Sequence, residues 1–279
     1  MTSTAGSTTQ PARAPTPVRR ATVVTHGRAE LIGAAVDRVC EVAARAGVEI
    51  VPEVGDDGSV DIAVVLGGDG TMLRALTRFL GAHVPVLGVN FGRVGFLSSM
   101  PQGELESGLT RVFAGEYDVV QLPTLEVETG DARHVAVNDA VVTSGELGRM
   151  VELEWAVGGE DLGKQPCDGV ICSTPSGSTA YNLSNGGPVL VWGIDAMAIT
   201  FVAPHSLHAR PLVVPRGRDL VVSNRTADVP VAVLVDGHHV ADAGPRDGQV
   251  TIRLGEAHSL LATLPEATFV RRYRQSFAS

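Results

Sequence analysis

Asp61-Ile-Ala-Val-Val-Leu-Gly-Gly-Asp-Gly-Thr-Met-Leu-Arg-Ala-Leu76 decides the fold of this chain, because its hydrophobic pattern changes period at a single turn. Residues 62–66 form a short apolar run rich in β-branched side chains, as expected of a parallel strand buried on both faces. Over residues 71–80 the apolar positions recur at helical spacing, so a strand passes into a helix through Gly67, Gly68, Asp69 and Gly70. Glycines open backbone angles closed to other residues and let N–H groups approach an anion, to which the helix N-terminus adds partial positive charge. An aspartate in such a turn repels phosphate and needs a reason. Either Asp69 accepts the proton of an attacking hydroxyl in phosphoryl transfer, or it caps the helix in a tight structural turn, and the turn alone supports both.

Outward from this turn the alternation continues. Residues 21–25 read as a strand; Leu31, Ile32, Ala35, Val36, Val39, Val42, Ala43 and Ala46 mark one face of a helix that Gly47 closes; residues 48–51 and 84–89 read as further strands. That order predicts an α/β domain with a parallel sheet. From about Leu122 the period becomes two. Leu125 and Val127 alternate with Glu126 and Glu128, Val151, Leu153 and Trp155 with Glu152 and Glu154, and Val250, Ile252 and Leu254 repeat the pattern. A β-rich, largely antiparallel second domain is expected. The expected boundaries are a disordered Thr/Ser/Pro/Ala tail at 1–18, the α/β domain at 19–120, the β-rich domain at 121–258, and a C-terminal segment at 259–279 returning to the first domain.

The 279 residues are 44% hydrophobic, enough to fill a core, and no apolar run reaches the roughly 20 residues of a membrane span. With a polar N-terminus, a cytoplasmic location and no membrane partner are expected. A net charge of −9 argues against broad nucleic-acid binding. Lys164 is the only lysine, so side-chain phosphate contacts fall to arginine, and there is no Walker-type Gly-Lys-Ser/Thr loop. Cys40, Cys167 and Cys172 are odd in number and lack histidines at metal spacing, so neither a disulfide framework nor a metal site is expected. Gly88, Gly92 and Gly95 have the wrong spacing for a dinucleotide fingerprint.

The second unusual segment is Cys-Asp-Gly-Val-Ile-Cys-Ser-Thr-Pro-Ser-Gly-Ser-Thr-Ala-Tyr-Asn-Leu-Ser-Asn-Gly-Gly-Pro, residues 167–188. The residues read as a strand at 170–173, a turn at 175–178 and a short helix at 179–184, whose start presents hydroxyls and N–H groups suited to ribose and phosphate. A polar loop with a Ser/Thr-capped helix fits the same residues.

With these segments together, the chain resembles the NAD kinase family. Leu-Gly-Gly-Asp-Gly-Thr at 66–71, Gly-Val-Asn-Phe-Gly-Arg-Val-Gly-Phe-Leu at 88–97, Asn138-Asp139, Thr-Pro-Ser-Gly-Ser-Thr-Ala-Tyr at 174–181 and Pro-His-Ser-Leu-His-Ala-Arg-Pro-Leu at 204–212 occur in that family's order. The first motif also looks like those of diacylglycerol kinases and phosphofructokinases, whereas the 174–181 motif is far more specific. The resemblance implies phosphorylation of the adenosine ribose 2′-hydroxyl of NAD to give NADP. ATP or polyphosphate would be the donor, with Mg²⁺ or another divalent cation, and the chain would form a homo-oligomer.

The resemblance further implies that Asp69 is the proton acceptor, that Gly70 and Arg74 contact nucleotide, and that Asn138 and Asp139 bind NAD. It also implies NAD contacts from Asp168 and from Thr179, Ala180, Tyr181, Asn182, Leu183 and Ser184, with Arg149 and Ala203 corresponding by position. Three departures stand out: Asp139 where Glu is common, Ser176 for Thr, and His238-His239 where Gln often follows Val235-Asp236-Gly237. Val-Arg-Arg-Tyr-Arg-Gln-Ser-Phe at 270–277 matches the start of the family's terminal segment, and the short remainder is expected to weaken packing on the first domain. A kinase of another hydroxyl acceptor, lipid or sugar, and a catalytically silent NAD(P)-binding sensor are the alternative functions.

Overall fold

The computed structural model describes residues 16–26, 29–52, 59–91, 95–243 and 248–277, with the backbone alone at 29–32. Residues 1–15 of the expected tail, Gly92 of the 88–97 motif, and the side chains of Leu31 and Ile32 lie outside the described residues. The chain divides into two compact units, residues 1–121 with 259–279 and residues 122–258.

The first unit is built from β1 (Arg20–Thr25), α1 (Ala29–Ala46), β2 (Glu49–Ile50), β3 (Ile62–Gly67), α2 (Asp69–Arg78), β4 (Val86–Asn90), β5 (Met100–Pro101) and α3 (Leu105–Phe113). β1 pairs with both β2 and β3, and β3 with β4, all parallel. Every residue of β3 is buried, which explains why the run is apolar without alternation. α1 buries Ala35, Val39, Val42 and Ala43, and Gly47 ends it with a φ of 71°, where a Cβ would be strained. Ala46, expected on the apolar face, is exposed in the last turn.

In the second unit the elements are β6 (Asp118–Thr129, largely in this unit), β7 (Ala132–Ala136), β8 (Asp139–Ser144), β9 (Val151–Val157), β10 (Glu160–Cys167), β11 (Gly169–Ser173), α4 (Tyr181–Ser184), β12 (Ala196–Val202), β13 (Leu212–Pro215), β14 (Leu220–Asn224), β15 (Val231–Val235), β16 (His238–Ala243) and β17 (Gln249–Thr263). One sheet runs β13-β12-β11-β8-β15-β16, antiparallel throughout. The other joins β10, β9, β14 and β17 antiparallel, with β6 on β17 and β7 on β6. Both sheets send alternate side chains into one core, among them Leu125, Val127, Leu153, Ile252, Val142, Cys172 and Ile199. The alternating glutamates face outward into ion pairs, Glu128 with Arg133 and Arg253, and Glu154 with Arg225. Trp155 packs on the same core, edge-on to Phe201 at 5.1 Å.

The end of β17 belongs to the first unit, where Leu261 and Ala262 pair in parallel with Val86 and Leu87 of β4. The chain then forms α5 (Phe269–Phe277). The expected weak packing of this segment is not what the first unit shows: Phe269 and Phe277 both set their rings on Phe96, with centroids at 5.2 and 5.9 Å, and Arg272 is buried. Among the described residues no helix is long and apolar enough to cross a membrane.

Candidate active site

The strand-to-helix turn is tighter than its sequence suggests. Gly68 is extended (φ −103°, ψ −173°) and the helix starts at once, so α2 begins at Asp69, two residues before the expected Thr71. Asp69 is therefore the first helical residue and no cap, and the helix has no side-chain cap bond. Gly67, Gly68 and Gly70 do not take positive φ, which corrects the reason for their presence. A Cβ on Gly67 would fall 2.6 Å from Thr71 Oγ1, whereas one on Gly68 or Gly70 would meet no described residue within 4 Å.

Asp69 is half-buried and held from outside the turn. The backbone N–H of Phe96 donates to Asp69 Oδ2 at 2.7 Å and that of Leu97 to Oδ1 at 3.2 Å. Gly95 makes this approach feasible, since a Cβ there would lie 2.0 Å from Oδ1. Arg74, one turn along α2, is exposed and makes no ion pair with another described residue.

In the second unit the Asn138-Asp139 pair and the 174–184 segment are brought together. Thr174 Oγ1 donates to Val137 O at 2.7 Å, Ser176 Oγ to the same carbonyl at 3.0 Å, and the Thr174 N–H to Asn138 O at 2.9 Å. A Cβ on Gly177 would fall 2.0 Å from Asn138 O, so only glycine permits this contact. The hydroxyls before the helix are spent inside the protein: Thr174, Ser176 and Ser178 are all buried, and Ser178 Oγ donates to Pro175 O. Asn182 is likewise a bracket. Its Nδ2 donates to Ser178 O and Pro188 O, and its Oδ1 accepts from Thr200 Oγ1, so both amide N–H groups of the fully buried side chain are committed inside the protein. Thr179, Ala180 and Leu183 are half-buried, and Tyr181 and Ser184 are exposed on the same turn.

Asp236, which the sequence reading did not single out as a site residue, organises this corner. Its carboxylate accepts the N–H groups of Val137, Asn138 and Asp139 at 2.8, 2.7 and 3.2 Å, from a residue whose φ is 49°. The left-handed Asp before Gly237 was the available sequence signal. Asp139 is buried nearby, and burial, reinforced by the charge of Asp236, pushes its carboxyl up to about 7. Burial also raises Asp236, and the three N–H donors oppose that shift. Asn138 Oδ1 is buried and has no hydrogen-bond partner among the described residues.

Asp168, Arg149 and Ala203 are at the other end of β8. Asp168 precedes Gly169, which pairs with Thr143, and its N–H donates to Val202 O next to Ala203, whose φ is 44°. Asn138 precedes the opposite end of that strand, about 17 Å away at a 3.4 Å rise over five residues. Arg149 is engaged with Asp228 at 2.8 Å and Glu146 at 3.4 Å. His238 is exposed, with Nδ1 3.1 Å from Asp236 O. Cys167 and Cys172 are buried thiols raised by burial, Cys40 is exposed, and all three are free. Among the described residues no three His, Cys, Asp or Glu side chains are grouped to hold a metal.

These features define a two-unit protein, a parallel α/β sheet with a glycine-flanked carboxylate and a β-sandwich with a buried acidic corner. A family model described as ATP-NAD kinase N-terminal domain matches residues 28–117, and one described as ATP-NAD kinase C-terminal domain matches residues 137–264. An NAD kinase of Gemmatimonas aurantiaca is 39% identical over 215 residues, 74% of this chain and 73% of its own. One of Symbiobacterium thermophilum is 40% identical over 218 residues, 75% of each chain. Among solved structures, a yeast NADH kinase complexed with NADH shares the fold with a TM-score of 0.81 at 22% identity, covering 94% of this chain and 88% of that one. An NAD kinase from Archaeoglobus fulgidus in complex with ATP gives 0.74 at 28% identity, covering 93% and 97%. The chain belongs to the NAD kinase family.

Proposed function

We propose that this chain is an NAD kinase that transfers the γ-phosphoryl group of ATP to the adenosine ribose 2′-hydroxyl of NAD, giving NADP. The observation that carries the reading is Asp69, a half-exposed carboxylate oriented by two backbone N–H groups at the start of α2. The ribose hydroxyl loses its proton to Asp69 as its oxygen bonds the γ-phosphorus. The bond from phosphorus to the bridging oxygen breaks, and its electron pair leaves with ADP. Accepting that proton contributes on the order of 10²–10⁴-fold, with positioning and charge stabilisation supplying the rest.

The start of α2 beside Gly68 and Gly70 receives phosphate oxygens, and Arg74, one turn along the same helix, adds a positive charge. Magnesium would come with the nucleotide substrate and neutralise phosphate charge while needing few protein ligands, and no residue of this chain is assigned to hold it. Asn138 Oδ1 accepts from the substrate, and protonated Asp139 donates where an ionised carboxylate could only accept. From the 174–184 segment, Thr179, Ala180, Tyr181, Leu183 and Ser184 face NAD, with Asn182 holding them in place.

Asp168, Ala203 and Arg149, a strand's length from Asn138, serve the nucleotide of a neighbouring copy in a cytoplasmic homo-oligomer. Light scattering that finds only monomer at assay concentration would remove this assignment.

The test of the activity is to incubate the chain with NAD, Mg²⁺ and either ATP or polyphosphate, and to detect NADP with an NADP-specific dehydrogenase. NADP formation with ATP is expected. A folded chain that binds NAD and makes no NADP with either donor points to the silent sensor, and turnover of a lipid or sugar instead of NAD points to the other kinase.

A further inference from the structure

Arg272 is 95% buried, yet it is the residue of α5 with the most polar work. Its Nε donates to Ala267 O at 3.1 Å, one terminal nitrogen donates to Phe96 O at 2.9 Å and to Ser98 O, and the other reaches Ser99 Oγ at 3.3 Å. Three of these four acceptors belong to residues 96–99, the segment whose N–H groups at Phe96 and Leu97 hold the Asp69 carboxylate. The same segment is tied elsewhere: Ser99 N–H donates to Gly88 O at 2.8 Å, Ser99 Oγ donates to Ala262 O at 2.7 Å, and the Phe96 ring lies on Phe269 and Phe277. A guanidinium is suited to this because its planar fork serves several carbonyls at once, where an ammonium offers a compact point charge. Burial lowers the Arg272 guanidinium to about 10, and the charge of Asp69 opposes the shift, so it stays protonated at neutral pH.

We propose that Arg272 is a positioning residue for the reaction: it clamps the carbonyl side of the 96–99 segment so that its N–H side presents Asp69 to the substrate hydroxyl. The proposal rests on the reading of Asp69 as proton acceptor. It assigns to the C-terminal helix a role in turnover that its distance in sequence from the glycine turn conceals. Without the fork, the carbonyls of Phe96 and Ser98 lose their buried donor, the segment relaxes, and the carboxylate loses its two orienting bonds. Ground-state binding of NAD, built by the second unit, is untouched.

The test compares Arg272→Lys, Arg272→Met, Asp69→Asn and the double variant Asp69→Asn/Arg272→Lys, with Tyr273→Ala as a control. Tyr273 packs on Phe269 and Phe277, the two rings that dock the helix on Phe96, so its loss disturbs the helix's packing without touching the guanidinium bonds. Arg272→Lys is expected to lower kcat at least tenfold with KM for NAD and ATP within about threefold of the parent, and Arg272→Met to lower it further. Tyr273→Ala should keep kcat within threefold. In the double variant, the Arg272→Lys change should cost much less than it does in the parent, because the oriented carboxylate is already gone.

If Asp69→Asn abolishes turnover while folded Arg272→Lys keeps a normal kcat, or changes KM alone, the clamp is not a positioning device. A kcat loss in Tyr273→Ala equal to that in Arg272→Lys reduces Arg272 to general helix packing. Full activity in Asp69→Asn rejects the reading of Asp69 itself, and the two failures are thereby told apart. Should Arg272→Met not fold, Arg272→Lys and its cycle with Asp69→Asn decide the matter.

Discussion

Asp69 in the first unit and Asp236 in the second solve the same problem, fixing a carboxylate with backbone N–H groups, and they do so to opposite ends. Asp69 takes two donors from a segment 27 residues away and stays half-exposed at the mouth of a helix. Asp236 takes three donors from consecutive residues 137–139, about 98 residues before it, and spends its charge on holding the Asn138-Asp139 corner. The first arrangement leaves a basic oxygen available for chemistry. The second consumes its carboxylate as scaffolding, and its charge adds to the burial that raises the neighbouring Asp139 to about 7. A carboxylate's bonding partners alone therefore do not say whether it reacts; the space left beside it does.

The largest expected effect tests the reactive side of that contrast. Asp69→Asn keeps the shape and removes the proton acceptor, so turnover should fall by about 10²–10⁴-fold. The affinity for NAD, measured by calorimetry, should stay within a few-fold. Near-parental turnover would place Asp69 with Asp236 among the structural carboxylates.

The scaffold side is tested next by Gly177→Ala, whose Cβ would fall 2.0 Å from Asn138 O. The turn and the corner must separate, and a destabilisation of about 3 kcal/mol or more is expected by denaturant unfolding, with loss of NAD binding. A normal unfolding midpoint with tight NAD binding would show that the two segments do not depend on each other.

A smaller effect sharpens the comparison through pH. The folded value of Asp139, about 7, lies above the 3.8 of an unperturbed aspartate. Between those values the native state holds a proton that the unfolded chain lacks. The group's contribution is thus complete below about pH 4 and is lost as pH rises through 7. Asp139→Asn removes this dependence, so the variant should gain on the parent as pH rises from 4 to 8, by on the order of 2 kcal/mol at the top of that range. Parallel melting-temperature profiles for parent and variant across that range would mean that Asp139 is ionised beside Asp236.

Much of the fold was legible because burial writes a period into sequence. The unbroken apolar run at β3 and the alternation at β9 reported a strand covered on both faces and strands covered on one, and both patterns hold in the structure. The glycine turn was legible as a motif, but not its reasons: close approach explains Gly67 and Gly95, and none of the turn glycines needs a positive φ. The hydroxyl-rich run 174–178 was legible as unusual, but not its partners, since a hydroxyl satisfied by Val137 O looks the same in sequence as one awaiting a ribose.

What the sequence determined by itself was therefore everything set by local period and composition: the strand-helix alternation, the change to a two-residue period near Leu122, and the presence of an aspartate in a glycine turn. Its motif order also carried the resemblance that the comparisons confirm. Only the tertiary structure decided which polar groups remain available. Asp236 meets residues 137–139 across two strands, and Arg272 meets residues 96–99 from the far end of the chain, with sequence separations of 97 to 99 and 173 to 176. Partnerships at that range leave no periodic trace, because they depend on where the backbone brings carbonyls and N–H groups and not on which side chains those residues carry.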